Sequence, residues 1–199
     1  MPAQAATILY SDDFSSITTT ATPGAPVGWT TLSGSVDSIK SGDWSLNCVG
    51  NVGGCVDLDG STDAAGTMYT TATFNLVAGT TYQLTADVSG NQLGGTYPAR
   101  GPDSLSFGFL SGGVPVAQTG STAFISTILA SQPFTPVSLF FTPTSNVSAS
   151  IFFGAGGGDN VGPILDNVSL AAVPLPAAAW LLLSGLVGFG ALGRRKVSA

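Results

Sequence analysis

Up to residue 172 the chain is a succession of short runs in which apolar and polar residues alternate, most of them closed by Gly or Pro. A period of two gives a strand one dry and one wet face, whereas an amphipathic helix needs a period near 3.6. No run before residue 177 has that helical spacing together with caps. Residues 73–77 and 80–88 alternate on either side of Ala78-Gly79 and predict a hairpin-like pair. Residues 104–110, 137–141 and 147–153 repeat the period, with Pro133, Pro136 and Pro143 as punctuation. Strands spaced so regularly over residues 8–172 predict an all-β fold, one antiparallel jelly-roll β-sandwich.

The pattern changes in the tail. Residues 177–193 carry no charge, and Arg194, Arg195 and Lys196 follow at once. Seventeen residues make about 25 Å of helix, and adding residues 173–176 brings the run close to the roughly 30 Å of a hydrocarbon core. The expectation is one C-terminal transmembrane helix at about 177–193, with Trp180 at the interface and a basic tail at 194–196. By the positive-inside rule everything before it lies outside the cytoplasm. Ser184 and Gly188 have small-xxx-small spacing, a weak dimerisation signal. An exported body needs an export signal, and Ala3-Gln4-Ala5 has the form of a signal-peptidase site. Residues 1–7 are therefore expected to be the remnant of a cleavage region in a longer reading frame, the alternative being an Ala-rich terminus.

Charge limits the partners. The eleven acids are all Asp, and outside the tail only Lys40 and Arg100 oppose them, so no nucleic-acid partner is expected. With no His and no Glu, neither Ser-His-Asp nor Cys-His catalysis is available. A pair of Asp residues could still hydrolyse a glycosidic bond, but no spacing selects such a pair. The chain is expected not to be an enzyme, an Asp-dependent glycoside hydrolase being the alternative.

Cys48 and Cys55 enclose Val-Gly-Asn-Val-Gly-Gly, and in an exported domain the pair predicts a disulfide. A thiolate metal site would need further Cys or His ligands that the chain lacks. The densest acidic stretch is residues 57–63. If 55–59 is a strand, Asp57 and Asp59 share a face, where they are either solvated or bridged by Ca²⁺. An EF-hand is excluded, since Gly60 comes two positions early and Met68 stands where the bidentate acid belongs. Asp12-Asp13 and Asp166-Asn167 are similar candidates, so Asp12, Asp57, Asp59 and Asp166 form the candidate set for a structural Ca²⁺.

Saccharides stack apolar faces on aromatic rings and offer hydroxyls to polar side chains. Trp29 is expected in the core and Trp44 either in the core or at a binding surface. Within residues 90–103, GNQLGGTYPARGPD, Tyr97, Arg100 and Asp103 complete a candidate sugar-binding set with Trp44.

Two resemblances follow from longer motifs. The segment VPLPAAAWLLLSGLVGFGALGRRK, residues 173–196, resembles the PEP-CTERM sorting segment of Gram-negative bacteria that make exopolysaccharide. Val173, Pro174 and Pro176 stand for its short motif, with Leu175 where the family has Glu, and Arg194, Arg195 and Lys196 for its basic cluster. The resemblance implies a sorting segment over 173–199, recognition by an exosortase in the inner membrane, and release to the cell surface or extracellular matrix. In the body, residues 34–39, 55–60, 77–82, 89–91 and 162–170 are together similar to the choice-of-anchor C family of exported β-sandwiches with a galactose-binding-like jelly roll. That resemblance implies association with extracellular polysaccharide or matrix, as a binding or purely structural protein. It also implies a structural Ca²⁺ near the closing Asp-Asn-Val-Ser-Leu strand.

Overall fold

The computed structural model describes residues 5–62, 64–92 and 102–174, and it is an all-β sandwich of two antiparallel sheets. The first sheet contains β1 (Thr7–Asp12), β3 (Asp37–Lys40), β4 (Gly54–Asp57), β7 (Thr81–Ser89), β11 (Thr135–Phe141) and β13 (Ile164–Val173), in the order β11-β7-β13-β4-β3 with β1 also on β13. The second contains β2 (Trp29–Ser33), β5 (Thr67–Thr70), β6 (Phe74–Leu76), β8 (Asp103–Ser111), β9 (Val114–Pro115), β10 (Thr122–Ile128) and β12 (Val147–Gly156). Its order is β10-β8-β12-β5-β2, with β6 on β12 and β9 on β8. From β10 onward successive strands alternate between the sheets, the connectivity by which a jelly roll closes on itself.

The period of two explains the packing. In β7 Tyr82, Leu84, Ala86 and Val88 are buried while the residues between them are half-exposed. They join Leu165, Val168 and Leu170 of β13 on the inner face, opposite Met68, Phe107, Phe109, Ile151 and Phe153 of the second sheet. Phe107 and Phe153 stack with centroids 5.7 Å apart, and Phe109 meets Phe141 of the first sheet at 5.4 Å. Each such ring contributes about 1.5–3 kcal/mol through burial. Trp29 belongs to this core, as expected, and its Nε1–H donates to Asp12 Oδ2 at 2.8 Å. A smaller apolar cluster of Ile39, Leu46, Cys48, Cys55 and Ile164 lies apart from it.

The hairpin expected across Ala78-Gly79 does not form. β6 pairs with β12 in the second sheet, while β7 pairs with β11 and β13 in the first. The turn between them carries the chain from one sheet to the other, with Thr80 N–H bonded to Val77 O and Gly79 at φ 77°. A Gly turn between two alternating runs has the same sequence in either case.

One edge of β13 serves two short partners in succession. Ile164 and Leu165 pair with Asp57 and Val56 of β4, and from Val168 to Ala172 the partner is β1. At the junction Asn167 takes φ 49°, and the register with β7 shifts between Asp166 and Ser169. Among the described residues no helix is long and apolar enough to cross a membrane. The expected helix at 177–193, with Pro176, Arg194, Arg195 and Lys196, lies outside the described residues, as does most of the segment 1–7.

Candidate functional site

The connection from β3 to β4 is rich in left-handed backbone. Gly42, Trp44, Ser45, Gly50, Asn51 and Gly53 all have positive φ, and these positions fold residues 41–53 into a compact loop. The Cys48–Cys55 disulfide closes it, with the Cα atoms 5.5 Å apart, as the sequence predicts. Leu46 and Cys48 turn inward onto Ile39, Cys55 and Ile164, against which Phe134 packs. Val49 N–H donates to Asp166 Oδ2 at 2.9 Å, fastening the loop to β13.

Between this loop and residues 131–134 runs a groove of about 640 Å³. Its walls include Asn47, Asn51, Gln92, Gln132, Pro133 and Phe134, and among the described residues no charged side chain lines it. Gln92 holds one wall in place, since its Oε1 accepts from Asn47 N–H at 3.1 Å and its Nε2 donates to Asn47 O at 2.9 Å. Trp44 stands on the same loop, 57% exposed, with φ 52°. Tyr97 and Arg100 lie outside the described residues. Asp103 is not available to a sugar, because it is 2% exposed and belongs to a different constellation.

That constellation is acidic. Asp59 follows β4, Asp103 opens β8 and Asp159 stands in the β12–β13 connection, and one carboxylate oxygen from each lies within 4.8 Å of the others. Asp59 Oδ2 accepts backbone N–H groups from Gly158 at 2.6 Å and Asp159 at 3.1 Å. Asp57 Oδ1 accepts from Asp59 and Gly162, both at 2.9 Å. Asp59 Oδ1 and Asp103 Oδ2 are buried and have no hydrogen-bond partner among the described residues. Lys40 is the sole basic residue among the described ones and it is exposed. Burial, with like charge from Asp159 and Asp59, raises Asp103 to about 7. Burial, with Asp37 and Asp59 adding to it, raises Asp57 to about 8 against its two backbone hydrogen bonds.

The four carboxylates expected to hold Ca²⁺ are therefore distributed otherwise. Asp57 and Asp59 are both buried, which removes the solvated-edge alternative for them. Asp12 Oδ2 accepts from Trp29 Nε1–H and Oδ1 from Phe14 N–H, so both oxygens are engaged. Asp166 is engaged likewise, by Val49 N–H and Asn167 N–H. Its nearness to Cys48 and Cys55 gives no ligand set, since disulfide sulfur is not a thiolate. Neither Asp12 nor Asp166 joins Asp59 in a group of close carboxylates among the described residues. The residue that sequence reasoning missed is Asp159. Its signal was the run Gly156-Gly157-Gly158-Asp159, since glycines let a loop lie directly against carboxylates.

No family model matches the chain, and no curated protein does. Among solved structures, the chain is similar to the CBM22-1–GH10 modules of Clostridium thermocellum endo-1,4-beta-D-xylanase 10B complexed with xylohexaose, at 17% identity and a TM-score of 0.46. That match covers 75% of this chain, which spans only 27% of the xylanase chain. The CBM22-1 xylan-binding domain of Paenibacillus barcinonensis Xyn10C is 15% identical, with 88% of this chain and 100% of that one covered and a TM-score of 0.47. The K3 cleaved adhesin domain of Lys-gingipain from Porphyromonas gingivalis is 14% identical over 84% of this chain and 99% of that one, at a TM-score of 0.49.

Proposed function

We propose that this is an exported, non-catalytic protein that binds neutral polysaccharide in the groove beside the Cys48–Cys55 loop. The observation that carries the reading is the groove's lining: side-chain amides from Asn47, Asn51 and Gln132, the half-buried ring of Phe134, and, among the described residues, no charge. Amides can donate to and accept from hydroxyls, and an aromatic ring receives the apolar face of a pyranose. Trp44 supports it. A bulky residue in the left-handed region costs of order 1 kcal/mol, and here the ring is held exposed instead of being buried.

Catalysis has less support. Asp59 and Asp103, whose carboxylates lie near one another, are buried and closed off from a polymer chain. The tail completes the proposal: the segment resembling PEP-CTERM would anchor the exported sandwich in the inner membrane, present it to an exosortase and place it at the cell surface or in the matrix.

Isothermal titration against a panel of soluble neutral polysaccharides, with reducing ends assayed in parallel, tests the reading. Saturable heat without new reducing ends is expected. Release of reducing ends would make it a hydrolase, and absence of heat across the panel would leave a purely structural matrix role.

A further inference from the structure

Three segments far apart in sequence bring carboxylates to one point. Asp59 comes from just beyond β4 of the first sheet, Asp103 from the start of β8 in the second, and Asp159 from the connection that leads into β13. An acidic cluster alone would mean little, but here Asp59 is fully buried, Asp103 is 2% exposed, and each keeps one oxygen with no hydrogen-bond partner among the described residues. A buried carboxylate oxygen without a donor is costly, and two beside a third acid compound the cost through repulsion.

We infer that Asp59, Asp103 and Asp159 hold a divalent cation of the calcium class. The geometry agrees. Two oxygens each about 2.4 Å from one ion are at most about 4.8 Å apart, and the three carboxylate oxygens lie within 4.8 Å of one another. An all-oxygen set selects a hard cation over zinc or copper, which favour imidazole or thiolate. Two of the three ligands are buried, which restricts the water shell that Mg²⁺ retains, so the larger, more readily dehydrated Ca²⁺ is favoured.

The neighbouring backbone supports this placement. A Cβ on Gly157 would stand 2.7 Å from Asp59 Oδ2 and 3.1 Å from Asp103 Oδ1, the partners of the two unbonded oxygens, so its absence keeps space open beside both carboxylates. Gly162 lets the same connection close over Asp59, where a Cβ would meet Asp59 Cβ at 2.5 Å. The cation would thus clamp the two sheets and the entry to β13 together. This set differs from the Asp12–Asp166 region that the family resemblance implies, where both oxygens of each carboxylate already accept hydrogen bonds.

The test uses the full chain, stripped with chelator and titrated calorimetrically with CaCl₂ and separately with MgCl₂. One Ca²⁺ per chain is expected, bound at least tenfold more tightly than Mg²⁺, with the melting temperature raised by ~3 °C or more in 2 mM CaCl₂. Asp103→Asn keeps the shape and removes one charge. It should melt higher than the parent in chelator yet lose the calcium-dependent rise. Asp12→Asn, outside the cluster, should retain that rise. A parent protein with no calcium heat and no melting shift would overturn the assignment, as would an Asp103→Asn variant that responds to calcium like the parent.

Discussion

Val49 and Asp166 are joined across 117 residues of sequence by a backbone N–H donated to Oδ2 at 2.9 Å. The bond places a carboxylate in the gap where β13 passes from one edge partner to the next, and it ties the disulfide loop to the strand beneath it. Asn167 N–H fills Oδ1 at 2.7 Å.

That position makes Asp166 a source of pH dependence. Burial, with Asp87 and Asp13 adding like charge, raises it to about 6 against the bonds from Val49 and Asn167. In the unfolded chain it titrates near the ordinary carboxylate value of 3.8. Between those values the folded state holds the extra proton, so this group's contribution to stability increases as pH falls from about 7 to 4 and diminishes as pH rises through 6. The span is of order 1–3 kcal/mol. Urea unfolding of the parent and Asp166→Asn across this range should give slopes that differ by that amount, the parent gaining more on acidification; parallel curves would refute it.

The disulfide closes an eight-residue loop, for which chain entropy gives about 2.5 kcal/mol. Replacing both cysteines by serine should cost about 2–4 kcal/mol, because two hydroxyls also enter the cluster of Ile39, Leu46 and Ile164. Polysaccharide affinity should fall as well, since Asn47 to Asn51 form one wall of the groove. Thermal melts and titration of the double variant measure both effects. An unchanged melting temperature would show that the loop is held by its packing alone.

Trp44→Ala separates binding from folding. The ring is 57% exposed and belongs to neither apolar cluster, so truncation should change stability by less than about 0.5 kcal/mol. If the ring stacks on a bound sugar, affinity should fall roughly tenfold or more. Equal affinity of variant and parent would remove Trp44 from the site.

The strands were legible because burial on one face writes itself into the sequence as a period of two, as in Thr81–Ser89. The cysteine pair was legible because its partners are local. What escaped was contact between distant segments. The stretch at 57–63 draws attention through its density of Asp, yet the carboxylates that approach Asp59 come from Asp103 and from Asp159, the latter 100 residues beyond Asp59. Asp103 was grouped with Tyr97 and Arg100 by adjacency, while the strand it opens points it into the acidic cluster. Trp44 carried no signal to choose core or surface, since its exposure depends on a left-handed turn that alternation does not encode.

Gly157→Ala tests the cation site without altering a charge. Gly157 lies outside the left-handed region, so alanine meets no backbone penalty there and the effect reduces to the space that Cβ occupies. That space adjoins Asp59 Oδ2 and Asp103 Oδ1, at 2.7 and 3.1 Å. Asp59 has little freedom to retreat, because Gly158 and Asp159 hold its Oδ2 by two backbone N–H groups. The methyl should therefore intrude on the cation, lowering calcium affinity at least tenfold, while the chelated protein loses only about 1–2 kcal/mol from overpacking. Gly156→Ala is the control. Its Cβ meets the Ser104 hydroxyl, the end of a side chain that can rotate away, and neither Asp59 nor Asp103 is among its nearest neighbours. Calcium titration of the two variants side by side should show the response lost in Gly157→Ala and kept in Gly156→Ala; the same response in both would place the cation elsewhere.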